Sequence, residues 1–282
     1  MTETTTTDTP THDQNRAGWD AIAAGYDAFV TDTEVWLANE GLAQARVTKD
    51  HRFLDVAAGA GGLSLPAARL GARVVATDWS PAMIEKLTTR ARKEGLANVV
   101  GRVMDCHTLD FADNSFDITG SQFGVMLVPD QPAALREMHR VTKNGGRVLL
   151  IAYGSPSEIE FLHFFVAALQ AVDPSFAGVP TDPPPLEFQV SDPRVLRERL
   201  TAAGLKDVTI NTVVEKLEFA SGHAMWDWVL NSNPIAGILT RGLTEDQRAD
   251  ARHVLDGMLR ERSGGGRPGV LTNPVHIAVG TK

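Results

Sequence analysis

The sequence predicts an α/β fold, a mostly parallel sheet with helices on both faces. Three observations predict it. Short apolar runs alternate with amphipathic stretches between Arg52 and Tyr153, and strand–helix units repeated at that length form parallel sheets. A glycine cluster, Gly59-Ala-Gly61-Gly62, follows the first run. Acids close three successive runs, at Asp55, Asp78 and Asp105. Right-handed crossovers gather the loops after such strands along one edge of the sheet, where ligands bind.

Each element has its own signal. Residues 1–14 are Thr- and Asp-rich with almost no apolar content, so a disordered tail is expected. Trp19, Ile22, Tyr26 and Phe29 recur at spacings of three and four, which puts them on one helical face. A second amphipathic stretch runs from Glu34 to Val47. Strands follow at Arg52–Ala57, Arg73–Asp78, Val99–Met104, Phe116–Ser121 and Arg147–Tyr153. Between them lie the helical run Leu63–Leu70, a helix capped by Ser80 with Pro81 at its first position and Gly95 at its end, and a helix over Pro132–Val141 closed by Lys143-Asn-Gly-Gly146. After Tyr153 the rhythm changes. An aromatic helix around Phe161–Phe165 precedes the proline-rich loop Pro180–Pro185, and Ser191 and Pro193 start a helix that ends near Gly204. Lys206–Phe219 reads as a long strand, residues 222–262 as a helical insertion, and Val270–Gly280 as the last strand.

Composition narrows the function. The chain has 282 residues, 43% hydrophobic and 22% charged, with a formal net charge of −8, proportions of a soluble globular protein. That balance argues against nucleic acid held by a general positive field. One cysteine, Cys106, excludes an internal disulfide and a multi-cysteine zinc site. The eight histidines lack metal-ligand spacing, so no metal is expected. No secretory signal is visible, and no apolar run approaches the roughly 18 residues of a spanning helix. A soluble, cytoplasmic protein without membrane partners is expected.

The glycine loop and the acids carry the chemistry. Glycine lets the backbone turn tightly and approach a ligand closely. A dinucleotide fingerprint would place a third glycine where this chain has Ser64. Asp55 would repel a pyrophosphate but suits a ligand bearing an ammonium or a positive sulfur. Asp78, 23 residues beyond Asp55, is placed to accept both hydroxyls of an adenosine ribose. Asp105 could accept from an adenine amino group.

These residues make the sequence resemble the class I S-adenosylmethionine-dependent methyltransferases, closest to the small-molecule branch that includes ubiquinone/menaquinone C-methyltransferases (methyltransferase type 11). The resemblance implies a Rossmann-like, seven-stranded, mostly parallel sheet of order 3-2-1-4-5-7-6 with helical insertions. It implies one domain over residues 15–282, with an N-terminal helical lid (15–47) and insertions at 155–190 and 222–262. The implied cofactor is S-adenosylmethionine, touched by Asp55, Ala57, Gly59 and Gly61 of the glycine motif and by the ribose acid Asp78. Trp79 and Met83 would pack on the adenine, with the pair Asp105-Cys106 beside it and Ser121 after strand four. Tyr26 of the N-terminal helix would cover the cofactor, together with Trp19.

The acceptor is expected to be a small, largely apolar or aromatic molecule, because Phe161, Phe165, Trp226 and Trp228 fall in the insertions. His163, three residues after Glu160, is a candidate general base, against the plainer reading of an exposed histidine beside a solvated acid. An NAD(P)-dependent oxidoreductase and a non-catalytic S-adenosylmethionine-binding module are the alternatives. Oligomeric state is not legible.

Overall fold

Runs of apolar, β-branched residues that carry no polar alternation must be covered on both faces, which is the condition of a central parallel strand. In the computed structural model, which describes residues 15–179, 182–266 and 268–282, seven strands form one sheet. They are β1 (Arg52–Val56), β2 (Arg73–Asp78), β3 (Val99–Val103), β4 (Phe116–Gln122), β5 (Thr142–Tyr153), β6 (Lys206–Phe219) and β7 (Gly269–Thr281). Their order is β3-β2-β1-β4-β5-β7-β6, as the resemblance implies. Strands β1 to β5 run parallel, and β7 lies antiparallel to both neighbours. Strands β1, β4 and β5 at the centre of the sheet meet the condition of cover on both faces best; Phe53, Leu54 and Val56 in β1 and Val148 to Ala152 in β5 are fully covered. The expected disordered tail lies outside the described residues, as do Pro180 and Thr181 of the proline-rich loop.

Local signals fix most helix ends. In α4 (Pro81–Lys93) the Ser80 hydroxyl accepts from the Met83 amide, and Gly95 takes the left-handed conformation just beyond. The helices α3 (Ser64–Arg69) and α5 (Gln131–Val141) fill the β1–β2 and β4–β5 crossovers, and a helix-free loop joins β3 to β4. Two boundaries differ from the sequence reading. Strand β5 starts at Thr142, because Lys143 to Gly146 bulge out between the Phe116–Thr142 and Ile118–Arg147 pairs instead of forming a free turn. The helix α7 (Pro193–Ala202) is capped by Asp192, whose carboxylate accepts from the Arg194 amide.

The N-terminal segment departs further. Helix α1 (Arg16–Gly25) runs into a π-helical turn at Tyr26–Val30, where the Thr31 amide donates to the Tyr26 carbonyl five residues back. That extra residue per turn shifts the phase. Trp19, Ile22 and Tyr26 stay on the inner face, while Phe29 is 45% exposed. Helix α2 (Val35–Gln44) follows. Two polar contacts pin the segment to α4: Asp20 accepts from the Ser80 hydroxyl at 2.5 Å, and Arg90 pairs with Asp27 and Asp32.

Beyond the sheet edge, α6 (Glu160–Val172), α8 (Gly222–Ser232), α9 (Pro234–Leu239) and α10 (Glu245–Arg262) form a cap. Phe165, Trp226, Trp228, Leu255 and Leu259 give it an apolar core separate from the sheet's own. The cap is tied to the N-terminal segment where the Trp228 indole N–H donates to the Thr33 hydroxyl at 3.2 Å. Among the described residues no helix is long and apolar enough to cross a membrane.

The sheet core should dominate stability. Truncating Phe53, wholly buried in β1, to alanine should cost about 3–5 kcal/mol, read as a lowered urea midpoint with an unchanged slope.

Candidate active site

Strand β1 delivers its last residues to the C-terminal edge of the sheet, and the backbone must then turn sharply into α3. Ala57, Gly59 and Gly61 all take positive φ there, 54°, 54° and 102°. The two glycines serve different ends. A Cβ on Gly59 would lie 3.6 Å from the Tyr26 ring, so this residue faces a cavity beneath Tyr26. A Cβ on Gly61 would meet Leu87 and Leu65 at 3.1 and 3.2 Å. Gly61 therefore packs the helices together and does not line the cavity, against expectation.

Asp55 is fully buried. One carboxylate oxygen accepts from the Ser64 hydroxyl at 2.6 Å, and the other has no donor. Ser64, which breaks the dinucleotide fingerprint, is thus the residue that holds the acid in place. Burial, with the Asp78 charge adding to it, pushes the Asp55 carboxyl up to about 7. Asp78 accepts from the Gly59 and Ser80 amides, both at 2.9 Å, yet burial still raises it to about 6.

The cavity enclosed here holds about 1580 Å³ of empty space, its open mouth included. Tyr26, Asp55, Ala57 and Gly59 line it, as do Asp78, Trp79 and Met83 from the next strand and helix. Asp105 and Cys106 reach it two and three residues beyond the end of β3. The Asp105 carboxylate is half exposed and accepts from the His107 amide and ring nitrogen. Cys106 is buried, which raises its thiol to about 12 and makes it an inert apolar wall.

Two expected residues fall elsewhere. Ser121 does not line the cavity; its hydroxyl accepts from the Val125 amide and shapes the turn after β4. His163 is exposed and outside the cavity, and its partner Glu160 turns instead to Arg262 and Thr272. The helical spacing is right, but β7 and α10 compete for the acid. Trp226 is also buried away from the cavity, against Phe165.

The structure adds residues that sequence reading did not single out. Glu34, at the start of α2, is buried and accepts from the Tyr26 hydroxyl at 3.2 Å. Burial and nearby Glu215 raise it to about 8. Gln122 and Glu187 also face the cavity. The same cavity is lined by a ladder of rings. Phe123 stacks on Tyr153 at 4.5 Å, Tyr153 meets Phe161 edge-on at 5.6 Å, and Phe161 meets Trp228 at 5.1 Å. Only Phe161 and Trp228 had a signal, their place in the insertions; the others depend on which way a strand end points.

The charge pattern is one-sided. Glu34, Asp55, Asp78, Asp105 and Glu187 line the cavity, and no Lys or Arg does among the described residues. A buried carboxylate oxygen without a donor, a loop with no Cβ in the way and this excess of acids all fit a nucleoside carrying positive charge. They do not fit a pyrophosphate.

Comparison with known proteins agrees. A methyltransferase-domain family model matches residues 54–150. An uncharacterized protein of Mycobacterium tuberculosis is 34% identical over 194 residues, 68% of this chain and 67% of the relative. A demethylmenaquinone methyltransferase of Streptomyces avermitilis is 31% identical over 203 residues, 67% of this chain and 85% of the relative. Among solved structures, the YcgJ protein of Bacillus subtilis superposes with a TM-score of 0.56 at 20% identity, covering 88% of this chain and 97% of that one. The fold and the acid-lined cavity together define a class I methyltransferase. The chain belongs to the S-adenosylmethionine-dependent small-molecule methyltransferases, and S-adenosylmethionine is its cofactor. The oxidoreductase and the non-catalytic module are thereby set aside.

The buried acids set a pH dependence. Unfolded carboxyls ionise near about 4, whereas Asp78, Asp55 and Glu34 keep their protons to about 6, about 7 and about 8 in the fold. Between these values the native state binds more protons than the unfolded chain, so stability falls as pH rises through the window. Without cofactor, the urea midpoint should be lower at about pH 8 than at about pH 5.5, and Asp55→Asn should flatten that slope.

Proposed function

We propose that the protein methylates a small, largely apolar or aromatic acceptor by in-line displacement. One observation carries this reading: a single cavity is lined both by the acids and glycine loop and by the Phe123–Tyr153–Phe161–Trp228 ladder. A molecule lying on those rings would present its nucleophile toward the loop side. Similarity to a demethylmenaquinone methyltransferase, whose name specifies a quinone-type acceptor, supports the same class. The absence of Lys and Arg from the described lining residues disfavours phosphate-bearing acceptors and nucleic acid.

When bound, the cofactor supplies an electrophilic methyl group on a positive sulfur, with a neutral thioether to leave. The protein then needs mainly to align, enclose and dry the reactants. In our assignment Asp78 holds the ribose hydroxyls while its Gly59 and Ser80 amide bonds keep it rigid. Trp79, Met83 and Cys106 enclose the base, with Asp105 at its edge. Asp55 faces the positively charged end, and its Ser64 bond fixes which oxygen points inward. Residues 15–47 act as the lid: Tyr26 covers Gly59, and Arg90 and Ser80 hold the segment down. The segments 155–190 and 222–262 supply the acceptor's walls, through Phe161, Phe188 and Trp228.

Asp78→Ala should weaken S-adenosylmethionine binding at least about tenfold by calorimetry; a folded variant with unchanged affinity would remove Asp78 from the site. An acceptor panel read by S-adenosylhomocysteine release should favour reduced naphthoquinones and phenols over phosphoethanolamine or sugars. Turnover confined to the latter group would refute the aromatic acceptor.

A further inference from the structure

Methylating a hydroxyl releases a proton, and the protein must supply a group to take it. Tyr153 ends β5 and lines the cavity. Its ring is held between Phe123 at 4.5 Å and Phe161 at 5.6 Å, while its hydroxyl has no hydrogen-bond partner among the described residues. Tyr153 pairs with Val275 of β7, and Asn273, two residues along, pairs with Glu215 of β6. Paired residues, and alternate residues of one strand, share a face of a sheet, so Tyr153, Asn273 and Glu215 stand on the same face. Leu217 and Phe219 carry that face on into the cap's apolar core. Asn273 ties the group together: its amide donates to Glu215 at 3.0 Å, and its oxygen accepts from the Phe161 amide at 3.4 Å.

Glu34 reaches the same place from the N-terminal segment. It is buried, lines the cavity and accepts from the Tyr26 hydroxyl at 3.2 Å, and the Gln122 amide donates to its backbone carbonyl at 3.2 Å. A Cβ on Gly62 would lie 3.5 Å from the Glu34 Oε2 atom and 3.8 Å from the Gln122 amide nitrogen, so the carboxylate stands beside the glycine loop. Toward the rings, Glu215 and Glu34 are the charges that act most on the Tyr153 phenol, ahead of Tyr26. The titratable groups facing Glu34 are Tyr26 from the π-helical turn and Glu215 from β6; neither is a cation. With only such neighbours a buried carboxylate binds its proton tightly, which suits it to take one from a weakly acidic hydroxyl.

We propose that Glu34 is the general base of the reaction, taking the hydroxyl proton of a phenolic acceptor whose oxygen also receives a hydrogen bond from Tyr153. The inference rests on the aromatic-acceptor reading above and narrows it to rings that bear a hydroxyl. In the step the acceptor O–H bond breaks and its proton passes to the Glu34 carboxylate. The freed electron pair forms the new O–C bond to the methyl carbon, while the C–S bond breaks and its pair stays on sulfur. The negative charge of the carboxylate and the positive charge of the sulfur vanish together, and the proton leaves Glu34 for water once the cavity reopens. Glu215 does not line the cavity; it is a positioning residue that acts through its charge on Glu34.

Two acceptors separate proton removal from every other role. At mildly alkaline pH 1-naphthol arrives protonated, whereas 4-nitrophenol arrives largely ionised and needs no base. For Glu34→Gln we expect turnover of 1-naphthol to fall about 100-fold or more, against a deficit under about fivefold with 4-nitrophenol at about pH 8.5. S-adenosylmethionine affinity by calorimetry at about pH 6, where Gln mimics the protonated acid, should stay within about threefold of wild type. The kcat/KM of the wild type for 1-naphthol should climb with pH until Glu34 is ionised, and Glu34→Gln should lose that limb. Glu215→Gln removes a charge that raises Glu34, so it should move the limb to lower pH, a test that stands even if Glu34→Gln folds poorly. Equal losses with both acceptors, or no loss with either, would overturn the proposal, as would a limb that Glu215→Gln leaves in place. A deficit that follows weakened S-adenosylmethionine binding would assign Glu34 to the cofactor and refute the base. If the wild type methylates amines or thiols but neither phenol, the proposal fails; if it methylates no aromatic acceptor at all, the proposed function fails with it.

Discussion

Asp55 stands at the end of the central strand with its carboxylate removed from water and one oxygen lacking a donor. The rest of the site is arranged around that condition. Burying an ionised carboxylate without a counter-charge costs several kcal/mol, so the group shifts toward its neutral form instead. Ser64 and the Asp78 amide contacts keep the acids in position without neutralising them. Asp55, Asp78 and Glu34 together make a pocket that is electrostatically incomplete. In our proposed assignment a cationic cofactor completes it, and the differential between the empty and filled states is affinity.

The scaffold has to carry this cost. Strands β1, β4 and β5 are covered on both faces by apolar side chains, and the cap has an apolar core of its own. Dividing the core in this way separates two tasks. The sheet fixes the glycine loop and the acids at its edge, while the cap and the N-terminal segment close over it through apolar packing supplemented by polar ties. The Arg90 pairs with Asp27 and Asp32 and the Trp228–Thr33 bond are of that kind. Polar, partly exposed ties cost less to open than packed apolar surface. An enzyme that must admit two reactants and release two products needs such a difference.

The sheet was legible because its signals are local. Most of the parallel strands announce themselves by short β-branched, largely apolar runs, and Ser80-Pro81 and Gly95 mark helix ends through their own backbone preferences. The acids Asp55 and Asp78 were legible because a strand end delivers its last residue to the edge wherever the strand sits. Phe29 was misread because the π-helical turn at Tyr26 changes the period that places residues on a face. His163 takes the plainer of its two readings, an exposed histidine, and spacing within one helix says nothing of the Arg262 and Thr272 groups that compete for Glu160 from distant segments. Glu34 and Gln122 gave no local signal.

The sequence alone determined the parallel sheet, its glycine turn and the acids at its edge. All of these follow from periodicity and backbone preference within a few residues. Only the tertiary structure decided that Gly61 packs helices while Gly59 faces the cavity, that Ser64 holds Asp55, and that Glu34 meets Gln122 over Gly62. Those outcomes are hydrogen bonds and contacts between segments from nine to 88 residues apart. Which partner a polar group finds at such distances is set by how the chain packs, and a one-dimensional pattern does not contain it.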